Sequence, residues 1–290
     1  MNKYLPALLS LLLFTSGTQA QGLFGMRQRP VNHFEGTQWY VGTTVGMNYA
    51  RPTVLERYSE FSLINTEVAT DKDYGTLGLR AGYSAGITSV MAFTPYIQVM
   101  LSAQYTNTKY AYQQDYLWKD TKNEVNRLVV EDEHTQSLGY LELPLRLRYC
   151  FPINRLKPFV QGGIVYGRLI EARKELTSRN TDYASGSGIE AQSVRQTSDI
   201  KDSFIKSYVG YTFGGGLMYN FGGLMLVVDA NFQQGLHNIT NAKTRYTATR
   251  HVAGLGQIPD DIKLNSLSYS VSFLFPMKFL TDKTFKPVTF

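Results

Sequence analysis

The ten residues YLELPLRLRY, at positions 140–149, alternate between large apolar side chains and polar or charged ones. A β-strand points successive side chains to opposite faces. One face of this segment is apolar: Leu141, Leu143, Leu145, Leu147 and Tyr149. The opposite face carries Glu142, Pro144, Arg146 and Arg148. The segment therefore predicts a strand that separates two environments, one apolar and one polar.

Seven further segments alternate in the same way, which gives eight in all: 39–49, 77–87, 96–105, 140–149, 158–170, 207–220, 224–233 and 266–275. Each is about as long as a tilted strand that crosses a membrane, and eight strands can close into a barrel. The connections after the second, fourth and sixth segments are short, near 89–94, 152–157 and 221–223, and the others are long and polar. This pattern predicts an all-β, eight-stranded antiparallel up-and-down transmembrane β-barrel with short periplasmic turns and long extracellular loops.

A soluble eight-stranded barrel of the lipocalin kind also alternates, with its apolar face turned inward. The polar face here is mostly Gly, Ser, Thr, Gln and Asn, whereas a water-facing strand surface is rich in Lys and Glu. Small residues suit a narrow interior that side chains must fill. We therefore expect the leucines to face lipid and the charged residues to face the lumen. The predicted lumenal polar cluster is Arg80, Glu142, Arg146, Arg148 and Asp229, in which the two carboxylates are candidates to neutralise the arginines.

The aromatic residues support the membrane interpretation, since the chain contains 20 tyrosines and 16 phenylalanines. Several fall near the ends of the predicted strands: Trp39, Tyr49, Tyr105, Tyr149, Phe159, Tyr219, Phe232 and Phe275. Amphipathic aromatic rings prefer the headgroup level of a membrane. We expect these side chains to form a girdle at each end of the barrel, although aromatic residues are also good strand formers.

The amino terminus predicts a secretory signal peptide, because Lys3 precedes an apolar run from Leu5 to Phe14 and small or polar residues lead to Ala20. That run is too short to cross about 30 Å of hydrocarbon as a helix. We expect cleavage near Ala20 and an outer-membrane location. The predicted divisions are the signal peptide at 1–20, a periplasmic N-terminal extension at 21–36, the barrel at 37–276 and a periplasmic C-terminal tail at 277–290.

The stretch YLELPLRLRYCFPINRLKPFVQGGIVYG, residues 140–167, resembles the PorT-like outer-membrane β-barrel family of Bacteroidetes. The resemblance lies in a YLE-x-P-L strand, a basic and aromatic strand end, a short turn, and a K-P-F strand start followed by V-x-G-G. It covers the fourth and fifth segments closely. The first segment resembles the family only in its glycines, and the last only in its alternating serines. It implies an eight-stranded outer-membrane barrel of a Gram-negative bacterium. One member of that family is associated with type IX protein secretion, so a role in secretion is an option for this chain.

The sequence predicts no catalytic, cofactor or metal site. Four histidines are scattered without metal-ligand spacing: His33, His134, His237 and His251. Asp229 and His237 resemble the Asp and His near the rim of some outer-membrane proteases, but no second acidic pair accompanies them. The net charge of +6 is spread along the chain, which argues against a nucleic-acid partner.

Three functions remain open: a scaffold or binding surface that works through extracellular loops, a small-solute channel, and a hydrolase at the rim. An eight-stranded barrel has an interior only just wide enough for side chains, which disfavours the channel. We therefore expect a non-enzymatic scaffold, embedded in outer-membrane lipid and with protein partners in a secretion or surface-attachment complex. The working surface is predicted in the loops at 107–136 and 172–203, with four candidate contact residues: Tyr110, Tyr112, Tyr116 and Trp118.

Overall fold

The computed structural model describes residues 38–58, 72–75, 77, 79–120, 126–151, 156–183, 188–190, 193–221, 223–245 and 258–277. All of them belong to one compact unit, Gly36–Phe290. The predicted signal peptide, the N-terminal extension and nearly all of the C-terminal tail lie outside the described residues. The strands are β1 (Gln38–Glu56), β2 (Ala81–Ala92), β3 (Ile97–Lys119), β4 (Arg127–Cys150), β5 (Leu156–Asp182), β6 (Ile189–Glu190), β7 (Val194–Asp199), β8 (Ser207–Asn220), β9 (Met225–Gly235) and β10 (Asp261–Pro276).

Eight of these strands form a closed ring in the order β1, β2, β3, β4, β5, β8, β9, β10 and back to β1, with every neighbouring pair antiparallel. This confirms the predicted eight-stranded barrel. The short strands β6 and β7 pair only with β5 and stand outside the ring. The last residues of β2, β4 and β8 lie at one end of the barrel, which we call the turn end. The last residues of β1, β3, β5 and β9 lie at the other end, which we call the loop end.

Within the described residues, no helix is long and apolar enough to cross a membrane.

The two faces of β4 are oriented as predicted. The outward row from Leu141 to Tyr149 is 42 to 59% exposed, whereas Glu142 is 3% and Arg148 1% exposed. On β1, Trp39 is exposed, and Tyr49 lies on the same outward face, between the buried Asn48 and Ala50. Trp39 and Tyr49 are ten residues apart, which at about 3.3 Å per residue and a tilt of about 40° corresponds to a band roughly 25 Å tall. The outer surface between them therefore has the height of an outer-membrane apolar belt.

The predicted second strand, 77–87, is wrong in its bounds, because β2 runs from Ala81 to Ala92. The predicted facing still holds, since Tyr83 and Ile87 are exposed. The prediction ended too early because Val90 and Ala92 point inward and are buried there. Apolar residues on both faces remove the alternation that marked the rest of the strand.

The segments predicted as loops at 107–136 and 172–203 are mainly strand. β3 and β4 pair continuously up to Lys119 and Arg127, and β5 continues beside them to Asp182. From the level of Tyr105, β3 therefore extends a further 14 residues, or roughly 46 Å along the strand at about 3.3 Å per residue. We call this continuation of β3, β4 and β5, together with β6 and β7, the loop-end sheet.

Glycines on the inner face allow the tight coiling of the barrel wall. A Cβ atom on Gly163 would lie 2.0 Å from the Leu145 carbonyl oxygen, and one on Gly214 would lie 2.1 Å from that of Ala230. Both distances are far below van der Waals contact, so only glycine fits these positions. The glycine-rich segment 207–220 thus has a structural explanation.

Candidate functional site

The lumen contains a hydrogen-bonded network centred on the buried Glu142 of β4. Its Oε2 accepts hydrogen bonds from Thr106 Oγ1 at 2.7 Å and Gln104 Nε2 at 3.1 Å. Its Oε1 accepts from Gln233 Nε2 at 3.2 Å and from the Tyr208 hydroxyl. An ionised carboxylate has about four acceptor positions, and neutral donors from three other strands fill them here. This network ties opposite walls of the barrel together.

Arg148 is enclosed without a carboxylate in contact. Its Nε and Nη2 both donate to Gln161 Oε1, at 3.1 and 3.0 Å. Its guanidinium carbon lies 3.8 Å from the centroid of the Phe159 ring, a close cation–π contact. Gln161 in turn donates to Asn231 Oδ1 at 2.6 Å, which connects the arginine to β9.

Arg146 and Asp229 face the same part of the lumen but do not touch. Asp229 Oδ1 accepts hydrogen bonds from Asn231 Nδ2 at 2.5 Å and Ser270 Oγ at 2.7 Å. Arg146 borders a cavity of about 20 Å³ that Glu142 and Asn231 also line, which is about the space of one water molecule. Among the described residues, no direct ion pair joins these carboxylates to Arg146 or Arg148. Amides and hydroxyls separate the opposite charges that the sequence suggested would pair.

Two layers of buried apolar side chains enclose this polar zone. The turn-end layer includes Tyr40, Val90, Met100, Phe159, Met218 and Leu274. The loop-end layer includes Leu138, Tyr140, Val165, Phe204, Ile239 and Ile262. Phe204 and Ile239 come from connections that fold over the barrel mouth, where Ile205 N donates to the Ile239 carbonyl at 2.8 Å. The lumen is thus filled by side chains from end to end of the described barrel.

Arg80 does not belong to the lumenal cluster, so this part of the prediction is wrong. It precedes the first residue of β2, and its side chain, 41% exposed, pairs with Glu133 on the extended part of β4. The other suggested pair is also separated. Asp229 lies buried inside β9, and His237 follows the end of that strand at the loop end.

A buried ion pair fastens the loop end. Lys72 Nζ lies 2.8 Å from Asp260 Oδ1, and both side chains are at most 4% exposed. Lys72 also donates to the Tyr58 carbonyl at 3.0 Å, and the Tyr74 hydroxyl donates to Asp260 Oδ2 at 2.9 Å. The connection between β1 and β2 is thereby joined to the one between β9 and β10. A buried pair of this kind depends on such additional hydrogen bonds to offset desolvation.

Aromatic contacts continue from this ion pair onto the inner face of the loop-end sheet. The rings of Tyr74 and Tyr112 are 5.1 Å apart, and Tyr112 stacks on His134 at 4.7 Å. Burial, with Lys174 and Lys72 nearby, lowers the pKa of His134 to about 2. His134 is therefore neutral at physiological pH. Burial raises the pKa of the neighbouring Asp132 above its ordinary value.

Three of the four aromatic residues predicted to make loop contacts are buried. Tyr110, Tyr112 and Tyr116 are 2 to 7% exposed, because even-numbered positions of β3 as far as Tyr116 point inward and are covered by other side chains. Only Trp118 is exposed, at 42%, and it stacks on Tyr116. The prediction of a contact surface at the other three positions is wrong.

The exposed tip of the loop-end sheet instead carries a row across several strands. Trp118 pairs with Leu128, Leu128 with Asp182, and Asp182 with Ile189. Leu128 is 37% and Ile189 61% exposed. We call Trp118, Leu128 and Ile189 the tip patch.

Several residues of these sites were missed in the sequence. Tyr208 and Gln161 lie on the inward faces of their strands, so the alternation alone was a sufficient signal for both. Lys72 and Asp260 had no such signal, because they are 188 positions apart in segments without periodicity. Among the described residues, no group of three or more His, Cys, Asp or Glu side chains is arranged to hold a metal ion.

The sequence profile of the outer membrane protein beta-barrel domain matches residues 19–241. No curated protein sequence matches the chain. Among solved structures, Ail of Yersinia pestis is 11% identical, with 82% of this chain and 99% of that chain covered and a TM-score of 0.30. OprG of Pseudomonas aeruginosa is 11% identical, with coverages of 84% and 97% and a TM-score of 0.38. Neisserial surface protein A is 13% identical, with coverages of 82% and 98% and a TM-score of 0.30.

These structural likenesses are weak, and the assignment rests on the profile match, which spans well over half of the 290 residues. The ring of eight strands and its outward apolar face agree with that match. The chain belongs to the outer membrane protein beta-barrel domain family.

Proposed function

We propose that this outer-membrane barrel is a non-enzymatic scaffold whose loop-end sheet binds a protein partner at the cell surface. The tip patch is the observation that carries this proposal. Bacterial outer-membrane barrels place their long connections outside the cell, so Trp118, Leu128 and Ile189 would face the medium. Exposed apolar side chains grouped on a rigid element are typical of protein contact sites, and Trp is among the residues that most often anchor them.

The surroundings of the tip patch favour a protein partner. The guanidinium of Arg127 lies 4.5 Å from the centroid of the Tyr183 ring, and Lys119 follows Trp118 on β3. Asp182 lies between Leu128 and Ile189 in the row. Exposed apolar and aromatic side chains interspersed with charged residues of both signs are compatible with a protein interface. The proposed process is protein secretion, of the type IX kind or related to it, or surface attachment. It is supported by the resemblance of residues 140–167 to PorT-like barrels of Bacteroidetes.

A small-solute channel is the alternative. The filled lumen argues against it, because Glu142, Arg148 and the two apolar layers occupy the space that a pore requires. We also propose the division predicted from the sequence, with cleavage near Ala20 and periplasmic segments on either side of the barrel.

The experiment removes the tip while keeping the barrel. Residues 115–131 are replaced by Asn-Gly, so that the Gln114 and Asp132 pair closes a two-residue hairpin. Heat-shift electrophoresis checks that the barrel folds, and cross-linking on intact cells identifies partners. We expect the parent protein to capture a partner that the shortened protein loses.

Two point variants refine the result. Trp118→Ser and Ile189→Ser should each weaken capture, whereas Leu236→Ser, at an exposed leucine away from the tip, should not. If the shortened barrel keeps every partner of the parent, the proposal is wrong.

A further inference from the structure

The barrel wall has a break at the loop end, where β2 is shorter than its two neighbours. β1 pairs with β2 only as far as Tyr49 but continues to Glu56. β3 pairs with β2 only as far as Asn107 but continues to Lys119. The segment that contains Asp73 lies beside this break and pairs with β3 there.

A cavity of about 560 Å³ lies at this break. Most of its wall is apolar or aromatic: Tyr49, Leu79, Ala111, Phe232, Leu267 and Tyr269. The volume is within the range of roughly 300–1,000 Å³ that is usual for small-molecule sites. Tyr49 and Tyr269 are on the outward face, at the level where the apolar belt ends on the loop side. The cavity is therefore accessible to the surrounding lipid.

The end of the cavity away from the belt is polar. Arg51 and Asn265 are cross-strand partners on the outward face, two positions beyond Tyr49 and Leu267. Asn265 Nδ2 donates to Thr53 Oγ1 at 2.8 Å. Its Oδ1 is buried and has no hydrogen-bond partner in the part of the chain that the structure describes. Asn265 is one of the residues that line the cavity. The site thus offers one cation and one unsatisfied acceptor side by side.

This order of polarity matches a lipid in the outer leaflet, whose chains point into the belt and whose headgroup points towards the loop end. We propose that the cavity binds one anionic membrane lipid. An acyl chain lies along Tyr49, Leu267 and Tyr269, the phosphate contacts Arg51, and a hydroxyl or amide of the headgroup donates to Asn265 Oδ1. A buried acceptor without a hydrogen-bond partner raises the free energy of the empty site. The site should therefore prefer lipids whose headgroup can donate a hydrogen bond.

The test compares lipids with the same chains. Refolded full-length protein in detergent is incubated with dimyristoylphosphatidylglycerol, whose headgroup has hydroxyl donors, or with dimyristoylphosphatidylmethanol, an equally anionic lipid whose headgroup has none. Native mass spectrometry then counts the retained lipid. We expect one phosphatidylglycerol per barrel and about fivefold less phosphatidylmethanol, the effect of one hydrogen bond to a buried group. Asn265→Ala should remove the preference, and Arg51→Gln should reduce phosphatidylglycerol retention about fivefold.

Arg168→Gln is the matched control. Arg168 is an exposed arginine on β5, next to the outward-facing Tyr166 and outside the cavity, so its loss should change nothing. Ala111→Phe fills the cavity and should reduce retention of both lipids, provided that heat-shift electrophoresis shows a folded barrel. If Ala111→Phe does not fold, the test rests on the variants at Arg51 and Asn265, because both positions are on the outer face and should not prevent folding. If Arg51→Gln and Arg168→Gln reduce phosphatidylglycerol retention equally, the lipid is bound only by a general basic surface and the proposal is wrong. Retention of free myristate in place of phospholipid would overturn the assignment to a membrane lipid.

Discussion

Glu142 accepts four hydrogen bonds inside the barrel. Replacing it by Gln keeps its size but turns one acceptor oxygen into an amide that donates, and this amide would face existing donors such as Thr106 or Tyr208. We expect Glu142→Gln to lower the free energy of unfolding by about 1–3 kcal/mol, measured by urea titration in lipid vesicles. Glu131→Gln, an exposed position on the same strand, is the control. Equal unfolding midpoints for the two variants would contradict the central role of this carboxylate.

The outward leucines of β4 make a second prediction at the residue scale. Leu145 is 43% exposed and lies midway between Leu141 and Tyr149, near the centre of the belt. An arginine there should cost roughly 2–4 kcal/mol of folding free energy in a bilayer. Leu117 is 36% exposed but lies on the loop-end sheet, outside the belt. Leu145→Arg should therefore reduce the yield of folded barrel in vesicles far more than Leu117→Arg, and similar yields would show that the belt is wrongly placed.

At the scale of elements, the apolar face of a strand changes side where the strand leaves the belt. On β3, Leu101 points outward within the belt, whereas Tyr110 and Tyr112 point inward beyond it. Within the belt, the outer face of the strand contacts lipid, so its apolar side chains point outward. In the loop-end sheet, the outer face contacts water, so the apolar side chains point inward. The sequence alone predicted residues 140–149 of β4 well, since all of them lie within one environment. Residues 107–136 were predicted to form a loop, because the alternation of side chains does not reveal where a strand passes from lipid into water.

The rest of the candidate site depended on contacts between distant segments. Tyr208 and Gln161 follow from strand phase, but the Lys72 and Asp260 pair requires the two connections to meet over the barrel mouth. Nothing periodic marks either segment. The tip patch could likewise be predicted only in part from the sequence. Leu128 and Ile189 lie in the same row as Trp118 because of the register of β4, β5 and β6.

The loop-end sheet should respond to pH through His134. Its pKa is lowered to about 2 in the folded protein from an ordinary value of 6.5, so the unfolded sheet binds more protons between these values. The stabilisation is complete above pH 6.5 and declines as the pH falls below it. We expect hydrogen-exchange protection factors of amides in the loop-end sheet to decrease from pH 7.5 to pH 5.5. His134→Phe, which preserves the stack on Tyr112, should abolish this decrease, and an unchanged pH dependence would show that another group is responsible.

At the scale of the whole molecule, the filled lumen predicts an absence of conductance. The polar network and the two apolar layers leave about 20 Å³ beside Arg146, room for about one water molecule. Purified protein in planar bilayers should therefore show no stable single-channel steps at neutral pH. Glycine variants of Phe159 and Met218, which open the turn-end layer alone, should remain silent because the loop-end layer still closes the barrel. Reproducible steps from the unaltered protein would contradict a closed lumen.

The long antiparallel pairing of β3 with β4, from Gln104 and Glu142 to Lys119 and Arg127, has a mechanical consequence. A flexible loop that is pulled at its tip straightens before any tension reaches the membrane. Here a pull on Trp118 along the strands loads many backbone hydrogen bonds in shear at once, from the pair at Lys119 and Arg127 to the barrel wall. Force applied to the tip is therefore borne directly by the part of the protein anchored in the membrane, with little slack between the point of attachment and the anchor.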